Sequence, residues 1–165
     1  MEAQRECVFN WATRDGWPVG VIMSHVWKDG RVWLTAGAHR HRIDAVRRNP
    51  KVSVVVTSTG TELGPGKTVT IKGRCIVHED RETKDWFYRA LAYKGLSGEA
   101  AEAFIKRLDS PLRVVLEVVP EKWITFDGAK FAADTAGTLP DDQKGPRLSS
   151  DQERLDRELR ARGLK

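Results

Sequence analysis

The Asp29-Gly30 pair is the sequence feature that most constrains the fold, because it separates two short, largely apolar runs. A two-residue connection of this kind forms a type I′ turn, in which both central residues adopt positive φ. The flanking runs are therefore predicted to be neighbouring strands. Similar patterns predict the complete strand set: 7–13, 18–28, 31–36, 52–57, 67–78 and 113–119, the last continued by 123–126. We therefore expect a β-rich protein.

Helices are predicted between these strands. Pro50 ends a short helix over residues 43–48, since proline lacks the amide hydrogen that a helix needs. Apolar residues at helical spacing predict two longer helices, at 80–94 and 98–108. Strands with inserted helices indicate an α+β barrel.

The last part of the chain has a different composition. Residues 127–150 are small and polar without periodicity, which predicts an extended segment. Residues 151–165 are highly charged and compatible with a helix that is solvated or docks on a partner subunit. The expected organisation is a barrel domain over residues 1–128, followed by an extended tail and a charged helix over residues 129–165.

A basic cluster precedes the short helix. Arg40, His41 and Arg42 lie where backbone N–H groups and a partial positive charge favour an anion. The order of strand, hairpin, basic helix start and buried strand indicates a phosphate-bearing ligand lying across a small β-barrel.

These features occur in a recognisable order, and the chain resembles the pyridoxamine 5′-phosphate oxidase-like superfamily, which includes flavin and deazaflavin oxidoreductases. The resemblance covers roughly residues 8–128 and rests on these elements: Gly16-Trp17-Pro18, Asp29-Gly30, Thr35, Arg40 with Arg42, and Asn49-Pro50. It implies a split β-barrel of the FMN-binding type with short peripheral helices. It also implies a homodimer that holds the cofactor in the cleft between subunits. The family commonly has lysine at the position of Arg42, so the charge is kept while ligand geometry differs.

The resemblance also implies which residues bind the cofactor. Arg40 and Arg42 would bind its phosphate, with His41 adding a donor, and Thr35 with the Ala36 backbone would meet the phosphate or ribityl chain. The flavin ring edge would lie along the backbone of the second strand, at Met23, Ser24, His25 and Val26. Trp27, Trp33 and Trp123 are interpreted as core or dimer-interface residues rather than as ring-stacking partners.

No residue set in the sequence forms a self-sufficient catalyst, and catalytic residues stay unassigned. Ser24 and His25 are strand neighbours that point to opposite faces, and no GxSxG motif occurs. This pattern favours a cofactor enzyme, an oxidoreductase that uses coenzyme F-420 or FMN to reduce a small molecule. F-420 is slightly favoured, because it carries more negative charge and the chain has further basic residues near the expected cleft: Arg47, Arg48, Lys72 and Arg74. The alternatives are a flavin, deazaflavin or haem storage protein on this fold, and an unrelated basic interaction domain.

Composition and short motifs argue against several other classes of protein. The net charge of +5 is compatible with nucleic acid, but no nucleic-acid-binding motif occurs, so an anionic small ligand is favoured. No apolar run approaches the roughly 20 residues that cross a bilayer. The N-terminus lacks a signal-peptide core, and a cytoplasmic location is expected. Cys7 and Cys75 are interpreted as reduced structural thiols, and no zinc motif is found.

Overall fold

The computed structural model describes residues 1–145 and 149–165. The strands are β1 (Glu6–Ala12), β2 (Pro18–Ser24), β3 (Val26–Lys28), β4 (Arg31–Gly37), β5 (Lys51–Thr57), β6 (Lys67–His78) and β7 (Arg113–Asp127). The helices are α1 (His41–Arg48), α2 (Arg81–Tyr93), α3 (Gly98–Leu108), α4 (Gly128–Thr135) and α5 (Ser149–Ala161), with a 3₁₀ turn at Asp141–Gln143.

The strands form one antiparallel seven-stranded sheet in the order β2-β1-β5-β6-β7-β4-β3. Its two edge strands, β2 and β3, are separated in the chain by His25 alone. The sheet therefore curls until its edges are adjacent, as in a split barrel. The predicted β-rich α+β fold with peripheral helices is confirmed.

One strand prediction is wrong, because residues 18–28 do not form a single strand. β2 pairs with β1, whereas β3 pairs with β4 at the opposite edge of the sheet. The backbone N–H of His25 leaves both ladders and donates to the carbonyl oxygen of Arg5 over 3.1 Å. A local alternation pattern continues through this point, so it does not reveal that the pairing partner changes.

The hairpin prediction is confirmed. Asp29 and Gly30 have φ angles of 53° and 74°, in the region that a type I′ turn requires. The turn sets the register of β3 against β4, with Val26 opposite Trp33. β4 then directs Val32, Leu34 and Ala36 into the barrel.

Two apolar layers stabilise the sheet. The barrel interior is filled mainly by buried strand side chains: Phe9, Val32, Leu34, Val54, Ile71, Val114, Leu116 and Val118, with Ile43 and Val46 of α1. The second layer lies on the outer face of β7, where Val115 packs with Phe87 and Tyr88 of α2 and Leu108 of α3. Alternate residues of β7 therefore serve opposite layers.

A β-bulge divides β7. Its register against β6 shifts between Lys72 and Gly73, so that Glu121 is the extra residue beside Pro120. β4 pairs with β7 no further than Val118. Proline cannot donate to a ladder, which fits the end of this pairing just before Pro120. Beyond the bulge β7 continues as the partner of β6.

Residues 128–165 form a separate compact unit. The prediction of an extended segment over 127–150 is wrong where α4 forms, because the alanine-rich sequence of α4 favours helix. Residues 146–148 of the predicted tail lie outside the described residues. The predicted charged helix is present as α5. Within the described ranges, no helix has both the length and the apolar character needed to cross a membrane.

Candidate functional site

The start of α1 carries the two cations Arg40 and Arg42, with the carboxylate of Asp44 also in its first turn. Arg40 is the N-cap residue, and its side chain makes no capping hydrogen bond. Among the described residues, neither Arg40 nor Arg42 takes part in a salt bridge, whereas Arg47 of the last turn pairs with Glu79. Uncapped N–H groups at a helix start, flanked by guanidinium groups, favour an anion.

The side chain of Arg42 is held against the barrel. Its Nη1 donates to Sδ of Met23 over 3.2 Å, and its guanidinium carbon lies 5.6 Å from the ring centroid of Trp11. Partial burial lowers the pKa of Arg42, and the nearby charge of Arg40 lowers it further. The cation is therefore partly withdrawn from water without a salt bridge to any described carboxylate, a situation that a bound anion would relieve.

The four predicted ring-edge residues lie in different environments. The side chain of Met23 packs against the barrel interior, and Val26 is buried in the outer apolar layer. His25 is fully buried, whereas Ser24 is exposed. Of these four, Ser24 is the residue whose side chain faces solvent.

His25 occupies a closed position at the junction of β2 and β3. Its carbonyl oxygen accepts from Nζ of Lys94 over 3.0 Å, and its Nε2 lies 3.4 Å from the carbonyl oxygen of Met1. Its Nδ1 has no hydrogen-bond partner within the described part of the chain. Burial, followed by the charge of Lys94, lowers the pKa of His25 to about 4, so the ring is neutral near pH 7. Its main-chain N–H and carbonyl are both engaged within the protein.

The remaining predicted residues flank the helix start. Thr35 Oγ1 donates to the carbonyl oxygen of Val114 over 2.7 Å, and the Ala36 side chain is buried in the core. His41 is exposed in the first turn of α1. Arg40, His41 and Arg42 thus lie together at the start of α1, and Arg42 contacts Met23. Among the described residues, no side-chain hydrogen bond or ion pair joins Thr35, Ala36 or Ser24 to this group.

A cavity of about 690 Å³ lies along β1, β2 and β5. It falls within the usual size range of cofactor and small-molecule sites. Ser24 contributes to its wall together with Val8, Ile22, Val55 and Thr57, while Arg40 and Arg42 do not. The basic cluster and this cavity are therefore distinct features of the barrel.

Two features of this part of the barrel were not predicted. Trp11 contacts Arg42, although the alternation of Cys7, Phe9 and Trp11 already indicated an inward-facing residue. Glu117 is 3% exposed; it pairs with Arg31, and His78 Nε2 lies 2.7 Å from its Oε2. A carboxylate inside the apolar run of β7 indicates that it has a cationic partner. This pattern in the sequence could have identified the buried Glu117.

The two cysteines are structural. Cys7 and Cys75 are both free and buried, and burial raises the pKa of each thiol to about 12. A neutral thiol is a poor nucleophile and a poor metal ligand. In the portion of the chain that the structure describes, no group of His, Cys, Asp and Glu side chains is arranged to hold a metal ion.

Comparison with known proteins adds a family match. A family model for pyridoxamine 5′-phosphate oxidase matches residues 3–127. No curated protein matches the sequence significantly.

Solved structures share the fold at low sequence identity. The conserved hypothetical protein Rv2991 from Mycobacterium tuberculosis has a TM-score of 0.69 and 19% identity, covering 90% of this chain and 88% of its own. An F420 reductase has a TM-score of 0.57 and 19% identity, with coverage of 74% and 91%. HutZ, the haem storage protein from Vibrio cholerae, has a TM-score of 0.60 and 14% identity, with coverage of 76% and 89%.

Proposed function

The chain belongs to the pyridoxamine 5′-phosphate oxidase-like split-barrel family, and we propose that it is an oxidoreductase that uses coenzyme F-420 or FMN to reduce a small molecule. The observation that carries the proposal is the unpaired Arg40 and Arg42 at the uncapped start of α1. No hydroxyl or thiol among the described residues is hydrogen-bonded to a histidine that could act as its base, so the bound cofactor would supply the hydride chemistry. The protein would bind and orient it.

The basic cluster fits a phosphate or phosphodiester group. Arg42 would donate from a position already fixed by Trp11 and Met23, so little side-chain entropy is lost on binding. Arg40 and His41 would approach from the exposed side of the helix start. Thr35 retains the acceptor capacity of its hydroxyl, since its hydrogen is donated to Val114.

The charge distribution bears on the choice of cofactor. Arg47 and Arg74 form ion pairs with Glu79 and Glu121, so they contribute little net charge toward a ligand. Arg40, Arg42, Arg48 and Lys72 make no salt bridge within residues 1–145 and 149–165. Four such cations carry more positive charge than one phosphate group requires. This excess supports F-420 over FMN, because the phosphodiester and glutamyl tail of F-420 are more acidic.

A homodimer is part of the proposal, with the cofactor in the cleft between subunits. Trp123 and Ile124 of β7 are 45% and 50% exposed, and Trp27 packs edge-on against Trp123 at 5.6 Å between ring centroids. Aromatic and aliphatic side chains of this kind are enriched in protein interfaces. A second subunit would cover them and would complete a cofactor cleft that a single barrel leaves open.

A titration of the purified protein tests both the function and the choice of cofactor. We expect F-420 to bind more tightly than FMN, and its affinity to fall more steeply with ionic strength, because more opposite charges are screened. Tighter FMN binding at both low and physiological ionic strength would reverse the cofactor preference.

The same titration separates the second candidate, a storage protein like the haem storage protein that shares the fold. A saturable shift of the Soret band of added haem relative to free haem, with no turnover on F-420 or FMN, would assign storage. Binding of none of the three would leave a basic interaction domain.

Arg42→Ala is expected to weaken cofactor binding by about 1.5–3 kcal/mol, the usual range for a charge-assisted hydrogen bond, and Arg40→Ala by a similar or smaller amount. Both variants should stay folded, because neither side chain lies in the buried core. Fluorescence or absorbance titration measures the dissociation constant. Arg107→Ala, which removes an exposed arginine of α3, is the matched control and should bind as the parent protein does. Unchanged affinity in both test variants would place the phosphate elsewhere.

A further inference from the structure

A second cavity, of about 200 Å³, lies where the end of α2 meets α3 and the N-terminal segment. Its walls are largely apolar, formed by Leu91, Leu96 and Phe104 among others. Arg5, Lys94 and Ser24 also line it. The cavity therefore combines an apolar interior with two cations.

Lys94 is fixed at this cavity by the main chain. Its Nζ donates to the carbonyl oxygens of Gln4, over 2.7 Å, and His25, over 3.0 Å. An ammonium group has three N–H donors, so one remains for a ligand. In the described parts of the chain Lys94 forms no salt bridge, and burial lowers its pKa, as does the charge of Arg5. The ammonium is thus partly desolvated, and the Glu2 carboxylate acts on it only from beyond salt-bridge distance.

Arg5 adds a second cation to the lining of this cavity. Its guanidinium lies across Gly95, so close that a Cβ at Gly95 would be 3.1 Å from Nη1. Arg5 also forms no salt bridge with any described residue. Two like charges at one cavity repel each other, and a single anion between them would turn this repulsion into attraction.

We propose that this cavity binds a small carboxylic acid with an apolar body, such as an aromatic acid, with its carboxylate between Arg5 and Lys94. The apolar walls argue against a free phosphate, which would gain nothing from Leu91 and Phe104. The volume of about 200 Å³ is below the usual range for ligand sites, which argues for a compact ring or short chain. This binding requires neither F-420 nor FMN and is distinct from the basic cluster at α1.

The test is a two-dimensional NMR titration of the full-length protein, without cofactor, using benzoate. We expect chemical-shift changes centred on the amides of Ser24, Gly95 and Leu96. Arg5→Gln should weaken benzoate binding about tenfold or more, the effect expected for loss of one charge-assisted contact. Arg5 is exposed and its hydrogen bond to His25 uses its backbone, so the variant keeps the fold.

Two controls make the result specific. Arg14→Gln removes an exposed arginine from the β1–β2 turn and should change benzoate affinity by less than about twofold. Benzyl alcohol, which has the ring without the charge, should bind more weakly than benzoate to the parent protein. Three results would overturn the proposal. Benzoate affinity could fall equally in the two variants, or benzyl alcohol could bind the parent protein as tightly as benzoate. The third is that these amides show no shifts up to about 10 mM benzoate.

Discussion

Replacing Gly73 with alanine should lower the free energy of unfolding by about 3 kcal/mol, because the new methyl group has no space. A Cβ at this position would lie 2.2 Å from the carbonyl oxygen of Val119 and 3.0 Å from its carbonyl carbon. Both atoms belong to the backbone of β7 beside the bulge, so relief requires movement of the strand itself. Urea denaturation of parent and variant measures the loss.

Gly20→Ala is the matched control for this prediction. Gly20 also lies within a strand, and its added Cβ would meet the side-chain oxygen of Asn10 at 2.4 Å. A side chain can rotate away, at the cost of weak hydrogen bonds from Asn10 to Val8 and Ser53. We expect a loss below about 1 kcal/mol for this variant. Equal losses for the two variants would show that strand propensity, and not the contact with Val119, governs both.

Acidification from about pH 7 to about pH 5 should remove about 2 kcal/mol of stability through His25. Its pKa in the folded protein is about 4, below the value of 6.5 for an unperturbed histidine, so the unfolded chain binds the proton more readily. The contribution is therefore fully present above about pH 6.5 and is lost as the pH falls toward 4. Burial is the larger cause of the shift, and the charge of Lys94 is the next.

His25→Gln isolates this effect from the carboxylates that titrate in the same range. Glutamine is neutral at every pH considered and retains an amide donor for the carbonyl of Met1. Urea denaturation of both proteins at several pH values should show a shallower loss of stability in the variant. Parallel pH profiles would mean that His25 does not carry the dependence, and that its pKa in the folded state is not depressed.

The elements that could be predicted from the sequence are those with a regular residue pattern along their whole length. The bounds of β6 and α3 agree with the predictions, because strict alternation and helical spacing persist along each of them. The break at His25 was not predictable, since it arises when two strands pair with opposite edges of a curled sheet. The helix α4 was missed because its eight residues are too short a run to establish helical periodicity, although their alanine content favours helix.

For the candidate site, the sequence identified the basic residues but not their surroundings. Arg40 and Arg42 were recognised from their position before a short helix. The contact of Arg42 with Met23 and Trp11 joins three elements and depends on how α1 lies against the barrel. Likewise, the cavity beside Lys94 is built from the N-terminal segment and two helices, which no local pattern connects.

The antiparallel pairing of β4 with β7 has a consequence for how the chain reaches this structure. Arg31 and Glu117, which meet across these strands, are 86 residues apart in sequence. Bringing the two ends of so long a segment together costs conformational entropy before their contact stabilises the chain. Proteins dominated by such long-range pairings fold slowly. The hairpins β1–β2 and β3–β4 need no such closure. Until β7 arrives, the hydrogen-bonding edge of β4 that it pairs with stays open to association with other chains.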